Sequence, residues 1–180
     1  LLVNSGCNLA IESTMILHTP KVQEMIEQMG IPVFTDRSSY ESHPLGRIEW
    51  LKLYAVLLGK EDVAEAYFAQ LTDRLSPILK QPNTGKTVAF FYITSNGAAN
   101  VRKSGDYIAK SIELAGGQYI FSDLASEDGN ALSTMNIQME AFYAGVRDAD
   151  ILIYNSAIDG EIQTIDQLLA KSPLLKDFQA

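Results

Sequence analysis

The sequence predicts an α/β protein of two lobes with parallel sheets, joined by one long α-helix. Between residues 59 and 80, apolar residues recur at steps of three and four, which indicates an amphipathic helix. About twenty residues at roughly 1.5 Å each give a helix of about 30 Å, close to the diameter of a small domain. Because strand-rich sequence lies on both sides, we interpret this helix as a connection between lobes. The expected division is an N-terminal lobe (1–58), an interlobe helix (59–80) and a C-terminal lobe (81–180).

The first lobe is predicted as a strand, a helix and a second strand, with another helix after them. Thr19 and Pro20 suit the N-cap and first turn of a helix, and Gly30 suits its end. Two strands separated by one helix form a βαβ unit, so we expect these strands to be parallel neighbours. The predicted elements are a strand at 1–4, a turn at 5–8, one or two helical turns at 9–17, a helix at 19–30, a strand at 31–34, a loop at 35–42 and a helix from 44 to 59.

The second lobe is predicted as alternating strands and helices. Its first strand carries the nearly continuous apolar run from Val88 to Ile93, which suits a parallel strand covered on both faces. This alternation predicts a small open parallel sheet. The predicted elements are a strand at 86–94, a loop at 95–100, a helix at 104–116, a strand at 119–121, a polar loop at 122–133, a helix at 136–149, a strand at 150–154 and a helix at 164–170 capped by Thr164.

Composition excludes some classes of function. The net charge is -8, with a pI of about 4.7, and the Lys and Arg residues do not cluster, which argues against nucleic-acid binding. No apolar run approaches the roughly 18 residues of a membrane span. Cys7 is the single cysteine, so it forms no intrachain disulfide, and we expect a half-buried thiol.

The sequence shows no catalytic arrangement. Gly85, Lys86 and Thr87 match the end of a phosphate-binding loop, but a strand follows them where a helix is required. No glycine-rich dinucleotide motif, Ser-His-Asp set or carboxylate pair stands out, and His18 and His43 lie in separate segments. We therefore predict a binding protein with no catalytic residue, no metal site and no resident cofactor.

Two interpretations of the segment around Tyr40 stay open. Tyr40, Glu41 and His43 carry ligand types that suit ferric iron. The plainer interpretation is that Glu41 accepts a hydrogen bond from a backbone N–H at the start of the following helix, and that both histidines are ordinary surface or hydrogen-bonded residues.

Polar loops follow the predicted strands, and ligands of open α/β sheets bind at the carboxyl ends of strands. These loops are 5–8, 35–41, 95–103 and 155–159. Arg37, Arg102 and Lys103 are their cations, and Arg102 suits an anionic or carboxylate-bearing ligand. The alternative for Arg102 and Lys103 is a solvated pair before a helix.

Several runs of residues, taken in order and spacing, carry a resemblance. They are 30–33, 38–50, 59–61, 101–107, 115–117, 139–143 and 148–151. Together they resemble class III solute-binding proteins of ABC importers, the binding proteins for ferric siderophores, haem and vitamin B12. The resemblance implies two Rossmann-like α/β lobes, joined by one long helix at about 60–80 and enclosing a ligand cleft. It also implies that the chain is a fragment with a truncated first lobe.

The resemblance implies a site and a partner as well. The expected ligand contacts are Asn8, Tyr40 and Glu41 on the first lobe and Tyr92, Arg102 and Tyr107 on the second. In this family a glutamate on each lobe docks onto permease arginines, and Glu140 is the matching position in the second lobe. The alternative role of Glu140 is an interaction with the dipole of its own helix.

The expected function is that of the extracytoplasmic binding component of an ABC importer. The protein would bind a ferric siderophore, haem or a corrinoid as a monomer, in the periplasm or anchored by lipid to the outer face of the membrane, and deliver it to the permease. One alternative is a nucleotide-sugar-dependent transferase, which also has two Rossmann-like lobes. A chelatase or metallocluster-assembly protein is a second, and it would need clustered His or Cys ligands.

Overall fold

The computed structural model describes residues 2–124, 134–158 and 160–178, and the chain divides into two compact units. The first unit comprises residues 1–41 and the second residues 42–180. The sequence interpretation instead divides the chain at 58 and 80, and its assignment of an interlobe helix stays a prediction. In the described residues, no helix combines the length and apolar character needed to cross a membrane.

The first unit is a βαβ unit, as the sequence predicts. Strand β1 (Ala10–Ser13) and strand β2 (Val33–Asp36) are parallel neighbours, and helix α1 (Pro20–Gln28) connects them. Ala10, Ile26 and Ile31 form the buried core of this unit. Cys7 is half-buried against that core, which confirms the expected environment of the thiol.

The start of the chain differs from the prediction. The expected strand at 1–4 is wrong, since Val3–Ser5 is a 3-10 turn, and Leu1 lies outside the described residues. Where one or two helical turns were expected at 9–17, the structure has β1 followed by a 3-10 helix at Thr14–His18. The strand forms because it pairs with β2, more than twenty residues later, and a pairing of that range leaves little local signal.

The second unit begins with two predicted helices. Helix α2 (Pro44–Leu58) and helix α3 (Glu61–Leu79) pack against each other. Gly59 separates them in the left-handed conformation, with φ of 60°, which glycine adopts without steric cost. His43 caps α2, because its Nδ1 accepts a hydrogen bond from the Leu45 N–H at 3.2 Å. The interpretation of His43 as a hydrogen-bonded residue is thereby confirmed.

In the part of the chain that the structure describes, a five-stranded mixed sheet forms the core of the second unit. Its elements in chain order are β3 (Thr87–Ile93), β4 (Ala99–Arg102), α4 (Tyr107–Leu114), β5 (Gln118–Tyr119), β6 (Thr134–Ile137), α5 (Met139–Val146), β7 (Ile151–Tyr154) and α6 (Ile165–Leu169). Strand β3 is central: it runs parallel to β5 and β7 and antiparallel to β4. Strand β4 in turn pairs antiparallel with β6.

The prediction of a wholly parallel sheet is wrong, because β4 and β6 were not foreseen. The predicted loop 95–100 contains a tight turn and the first half of β4. The hydrogen bond from Thr94 N–H to the Ala98 carbonyl closes the turn. The predicted helix at 136–149 starts later, at Met139, since its first two residues belong to β6. Residues 125–133 of the predicted polar loop lie outside the described residues.

Each face of this sheet packs against helices. On one face, Phe91 and Val101 are fully buried against Phe142 and Val146 of α5. On the other face, Val88 packs with Ala109 and Ile112 of α4 and with Tyr119; these four residues form one buried cluster. Thr164 caps α6 through a reciprocal pair of hydrogen bonds with Gln167, which confirms the predicted N-cap.

Candidate functional site

The face of the sheet that carries α4 presents a row of polar side chains beyond that helix. Tyr92 of β3 lies opposite Asn100 of β4, and Asn100 lies opposite Asn136 of β6. Residues directly opposite each other in a sheet point to the same face, so these three form one row across the strands. Arg102 lies two residues further along β4 and points the same way. We call Tyr92, Asn100, Arg102 and Asn136 the amide face.

A hydrogen bond fixes the centre of the amide face. Asn100 is buried, at 8% exposure, and its Nδ2 donates to Oδ1 of Asn136 at 2.6 Å. Sequence reasoning missed both asparagines. The signal that could have found them is the alternation of small or apolar with polar residues from Ala99 to Arg102, which has the period of a strand.

Arg102 is held in place by its main chain and by its side chain. Its N–H donates to the Tyr119 hydroxyl at 2.9 Å, and that hydroxyl donates to the Arg102 carbonyl at 2.6 Å. Nη1 lies 3.6 Å from Oδ2 of Asp106, and the guanidinium carbon lies 5.7 Å from the Phe90 ring centroid. Arg102 is the last residue of the antiparallel strand β4, and its side chain is only 20% exposed. The alternative, in which Arg102 and Lys103 form a solvated pair before a helix, is wrong for Arg102.

Buried polar groups support Arg102. Oδ1 of Asp106 accepts a hydrogen bond from Ile108 N–H at 2.8 Å and so caps α4, while Oδ2 faces the guanidinium. Burial raises the pKa of Tyr119 well above its usual value, because the charged phenolate would lose its hydration, although the Arg102 N–H acts in the opposite direction. The phenol is therefore neutral at physiological pH and can donate and accept at once.

Tyr107 is the first residue of α4 and contacts α2. The guanidinium carbon of Arg47 lies 3.9 Å from the centroid of its ring, a cation–π contact between the two helices. Tyr92, the third predicted contact of this unit, is half-buried on the amide face. The structure thus brings Tyr92 and Arg102 to one face of the sheet, with Tyr107 at the start of the next helix.

The predicted contacts of the first unit fall at opposite ends of its strands. Tyr40 ends the 3-10 helix Ser38–Tyr40 that follows β2, and its side chain is 42% exposed. Glu41 comes next and is half-buried. Both lie beyond the carboxyl end of β2, as predicted. Asn8 does not: it precedes β1, because the strand expected at 1–4 does not form, and so it lies at the amino end of the strands.

Glu140 lies in the first turn of α5, just inside the helix start, as the sequence predicts. Its side chain is exposed, whereas its neighbour Met139 and Phe142 are buried in the core. This position allows both a contact with a partner and an interaction with the helix dipole. Of the predicted loop 155–159, the last residue lies outside the described residues.

Comparison with known proteins identifies relatives. Residues 12–180 match the family model described as periplasmic binding protein. The chain is 32% identical over 139 residues to an uncharacterized lipoprotein of Methanocaldococcus jannaschii, a match that covers 76% of this chain and 32% of that protein. The chain thus spans about a third of that relative's length.

Solved structures share the fold. The periplasmic heme binding protein HutB of Vibrio cholerae superposes with a TM-score of 0.77 at 20% identity, over 98% of this chain and 65% of that one. The siderophore binding protein FhuD of the same organism, solved with Fe3+-Desferal, gives 0.66 at 13% identity, over 94% and 60%. These matches confirm the predicted α/β fold of helical-backbone binding proteins. The chain belongs to the periplasmic binding protein family.

Proposed function

We propose that this chain is part of the extracytoplasmic binding component of an ABC importer. The observation that carries the proposal is the family match over residues 12–180. The proposed ligand is an iron compound, either a ferric siderophore or haem, or a corrinoid, and the protein delivers it to the permease. The names of the heme-binding and siderophore-binding proteins that share the fold support this choice of ligands.

The amide face is the proposed binding surface of the second unit. Siderophores and haem carry anionic oxygens, and a guanidinium binds such oxygens through strong charge-assisted hydrogen bonds. Arg102 is fixed by Asp106 and by the Tyr119 phenol, so little side-chain freedom remains to be lost on binding. Tyr92 and Tyr107 offer aromatic rings and hydroxyls, which suit the large flat or ring-shaped ligands of this class.

The first unit contributes Tyr40 and Glu41 in this proposal. Both follow the carboxyl end of a parallel strand, the edge at which open α/β sheets bind ligands. We leave Asn8 out of the proposed contact set, because it lies at the amino end of β1.

Glu140 is the proposed contact with the permease. An exposed carboxylate on a helix start is available to an arginine of a partner, and the net charge of -8 favours association with a basic surface. We further propose that the full-length protein acts as a monomer outside the cytoplasm. The lipoprotein relative supports a lipid anchor as the means of its retention.

The proposed role is not enzymatic. A nucleotide-sugar-dependent transferase would need a phosphate-binding loop at a helix start, whereas Gly85, Lys86 and Thr87 lead directly into β3. This observation does not favour the transferase.

A visible absorption spectrum tests the proposal. The full-length protein would be desalted and measured as purified, and again after incubation with haemin, cobinamide and several ferric siderophores, all of which absorb visible light. We expect one chromophore to be retained, and Arg102→Ala to weaken its binding about tenfold or more, the loss of a charged hydrogen bond. Lys103→Ala removes the neighbouring cation; it is the matched control and should retain the chromophore. If every compound is removed by desalting, the iron and corrinoid proposal fails, and nucleotide-sugars become the next ligands to test.

A further inference from the structure

We propose that Tyr119 is a positioning residue for ligand binding: its phenol holds the end of β4 so that the Arg102 guanidinium stays on the amide face. This inference rests on the proposed function of Arg102 as the contact for an anionic group. Tyr119 lies 17 residues from Arg102 in the chain, and no sequence motif connects them.

The phenol takes the place of a missing strand. Along one edge of β3, β5 pairs with residues 87 and 88, and β4 pairs with residues 91–93. Arg102 lies just past the last of these β4 pairs, Phe91 with Val101, at the point where β3 changes partner. Its backbone N–H and carbonyl both bond to the Tyr119 hydroxyl instead, at 2.9 and 2.6 Å. One side-chain oxygen therefore makes the two hydrogen bonds that a neighbouring strand would supply.

The Tyr119 ring is itself fixed. The residue is 5% exposed and packs in the cluster with Val88, Ala109 and Ile112. The Phe121 ring meets it edge-on, with 5.8 Å between centroids. Since the ring has no room to rotate away, its hydroxyl is a rigid anchor for the Arg102 main chain. The raised pKa of the phenol agrees with this role, because only the neutral form donates to the carbonyl.

Holding the main chain orients the side chain. The hydroxyl fixes the Arg102 backbone, Asp106 faces the guanidinium at 3.6 Å, and the Phe90 ring lies 5.7 Å from it. With both ends restrained, the arginine is preorganised, and binding an anion costs less conformational entropy. Loss of the phenol oxygen alone would free one of these ends and leave the packing of the ring intact.

The test uses Tyr119→Phe in the full-length protein, with haemin as the probe. The readouts are haemin affinity, from its visible absorbance, and the hydrogen-exchange rate of the Arg102 amide in the ligand-free protein by NMR. We expect Tyr119→Phe to weaken haemin binding about tenfold and to raise amide exchange at Arg102 by at least tenfold, because the variant loses both hydrogen bonds of the phenol to the Arg102 backbone. Tyr154→Phe is the control, since that hydroxyl accepts from Ile93 N–H on the other side of β3 and should change neither.

A double variant separates positioning from general stability. In an Arg102→Ala background, Tyr119→Phe should have no further effect on haemin affinity. An equal effect in both backgrounds, or no effect in either, overturns the inference. If the protein retains no haemin, the ferric siderophore or cobinamide that it retains after desalting replaces haemin as the probe. If Arg102→Ala leaves the affinity unchanged while exchange still rises in Tyr119→Phe, the proposed binding role of Arg102 is overturned and the hold of Tyr119 on its backbone stands.

A second substitution tests the inference if Tyr119→Phe does not fold. Replacement of Tyr119 by 4-aminophenylalanine keeps a donor for the Arg102 carbonyl, so it should show exchange and haemin affinity between those of the unsubstituted protein and Tyr119→Phe. If Tyr119→Phe fails to fold, this variant decides: unchanged exchange and affinity, measured on a folded protein, overturn the inference.

Discussion

Asn100 and Asn136 face each other across β4 and β6, and Nδ2 of the first donates to Oδ1 of the second at 2.6 Å. Asn100 is buried and Asn136 is exposed, so the bond connects the interior of the sheet to its edge strand. A buried amide needs this partner, because an unpaired polar group in the interior costs free energy. The pair therefore favours the observed register of β6 with β4 over registers in which β6 is shifted along β4.

Removal of one partner of this pair should destabilise the second unit. We expect Asn136→Ala to lower the free energy of unfolding by about 1–2 kcal/mol, because the Asn100 amide then loses its acceptor. Asn136 itself is exposed, so little packing is lost with it. Urea unfolding followed by circular dichroism measures the difference. The double replacement of both asparagines by Leu should cost less than Asn136→Ala, since it leaves no unpaired group; an equal or larger cost would contradict this account.

Asp150 should make stability depend on pH in the acid range. Its Oδ2 accepts hydrogen bonds from the Thr87 N–H at 2.8 Å and from the Thr87 hydroxyl at 3.0 Å. These bonds, from the backbone first and the side chain second, lower the pKa of Asp150 below its ordinary value of 3.8. A carboxyl with a lowered folded pKa contributes stability above its unfolded pKa and loses it as pH falls through the folded value. Its contribution is therefore present above about pH 4 and lost below.

Urea midpoints between pH 2 and pH 7 measure this contribution. Asp150→Asn should flatten the acid part of the curve, because the amide does not titrate there. Asp148→Asn is the matched control: that exposed carboxylate pairs only with its neighbour Arg147 among the contacts described, and its replacement should leave the curve close to that of the unsubstituted protein. Curves of equal slope for Asp150→Asn and the unsubstituted protein would refute the assignment.

Much of the helical structure could be predicted, because its signals are local. Pro44 begins α2 and Gly59 ends it in the left-handed conformation, and Thr164 caps α6. Each of these roles depends on residues within one turn of the helix end. The short strands β4 and β6 could not be found in the same way, since each has only four residues and their identity as strands depends on pairing: β4 pairs with β3 across a tight turn, and β6 pairs with β4 from far along the chain.

The candidate site was predicted only in part, because some of its residues are connected by contacts between distant parts of the chain. Arg102 was predicted from the rule that ligands bind near strand ends and Tyr92 from the family resemblance, and the structure places both on the amide face. Tyr119 and Asn136 were missed, because they act through contacts that span 17 and 36 residues of the chain. Asn8 was expected after the first strand, at the carboxyl end of the sheet. Because the strand predicted at 1–4 does not form, Asn8 precedes β1 and lies at the amino end.

Gly116 should be much less tolerant of substitution than Gly59. Both have positive φ, 83° and 60°, so an added side chain is strained at either position. At Gly116 an added methyl carbon would also lie 3.1 Å from the Pro82 carbonyl oxygen, whereas at Gly59 it would meet nothing within 4 Å. We expect Gly59→Ala to cost about 1 kcal/mol and Gly116→Ala about 2 kcal/mol or more. Thermal and urea unfolding of the two variants measure the difference, and equal costs would show that the Pro82 contact relaxes freely.

The contact between Arg47 and Tyr107 should couple α2 to α4. The guanidinium lies 3.9 Å from the ring centroid, and both residues are half-buried, so water screens the contact only in part. A double-mutant cycle with Arg47→Met and Tyr107→Leu keeps most of the apolar volume and removes the charge and the ring. We expect a coupling free energy of about 0.5–1 kcal/mol. The comparison pair is Lys52 with Phe68, at 4.3 Å, where the lysine side chain is 38% exposed and also pairs with Glu49. Its coupling should be smaller, because the ammonium is better hydrated; a coupling as large as that of Arg47 with Tyr107 would show that burial does not set the strength of these contacts.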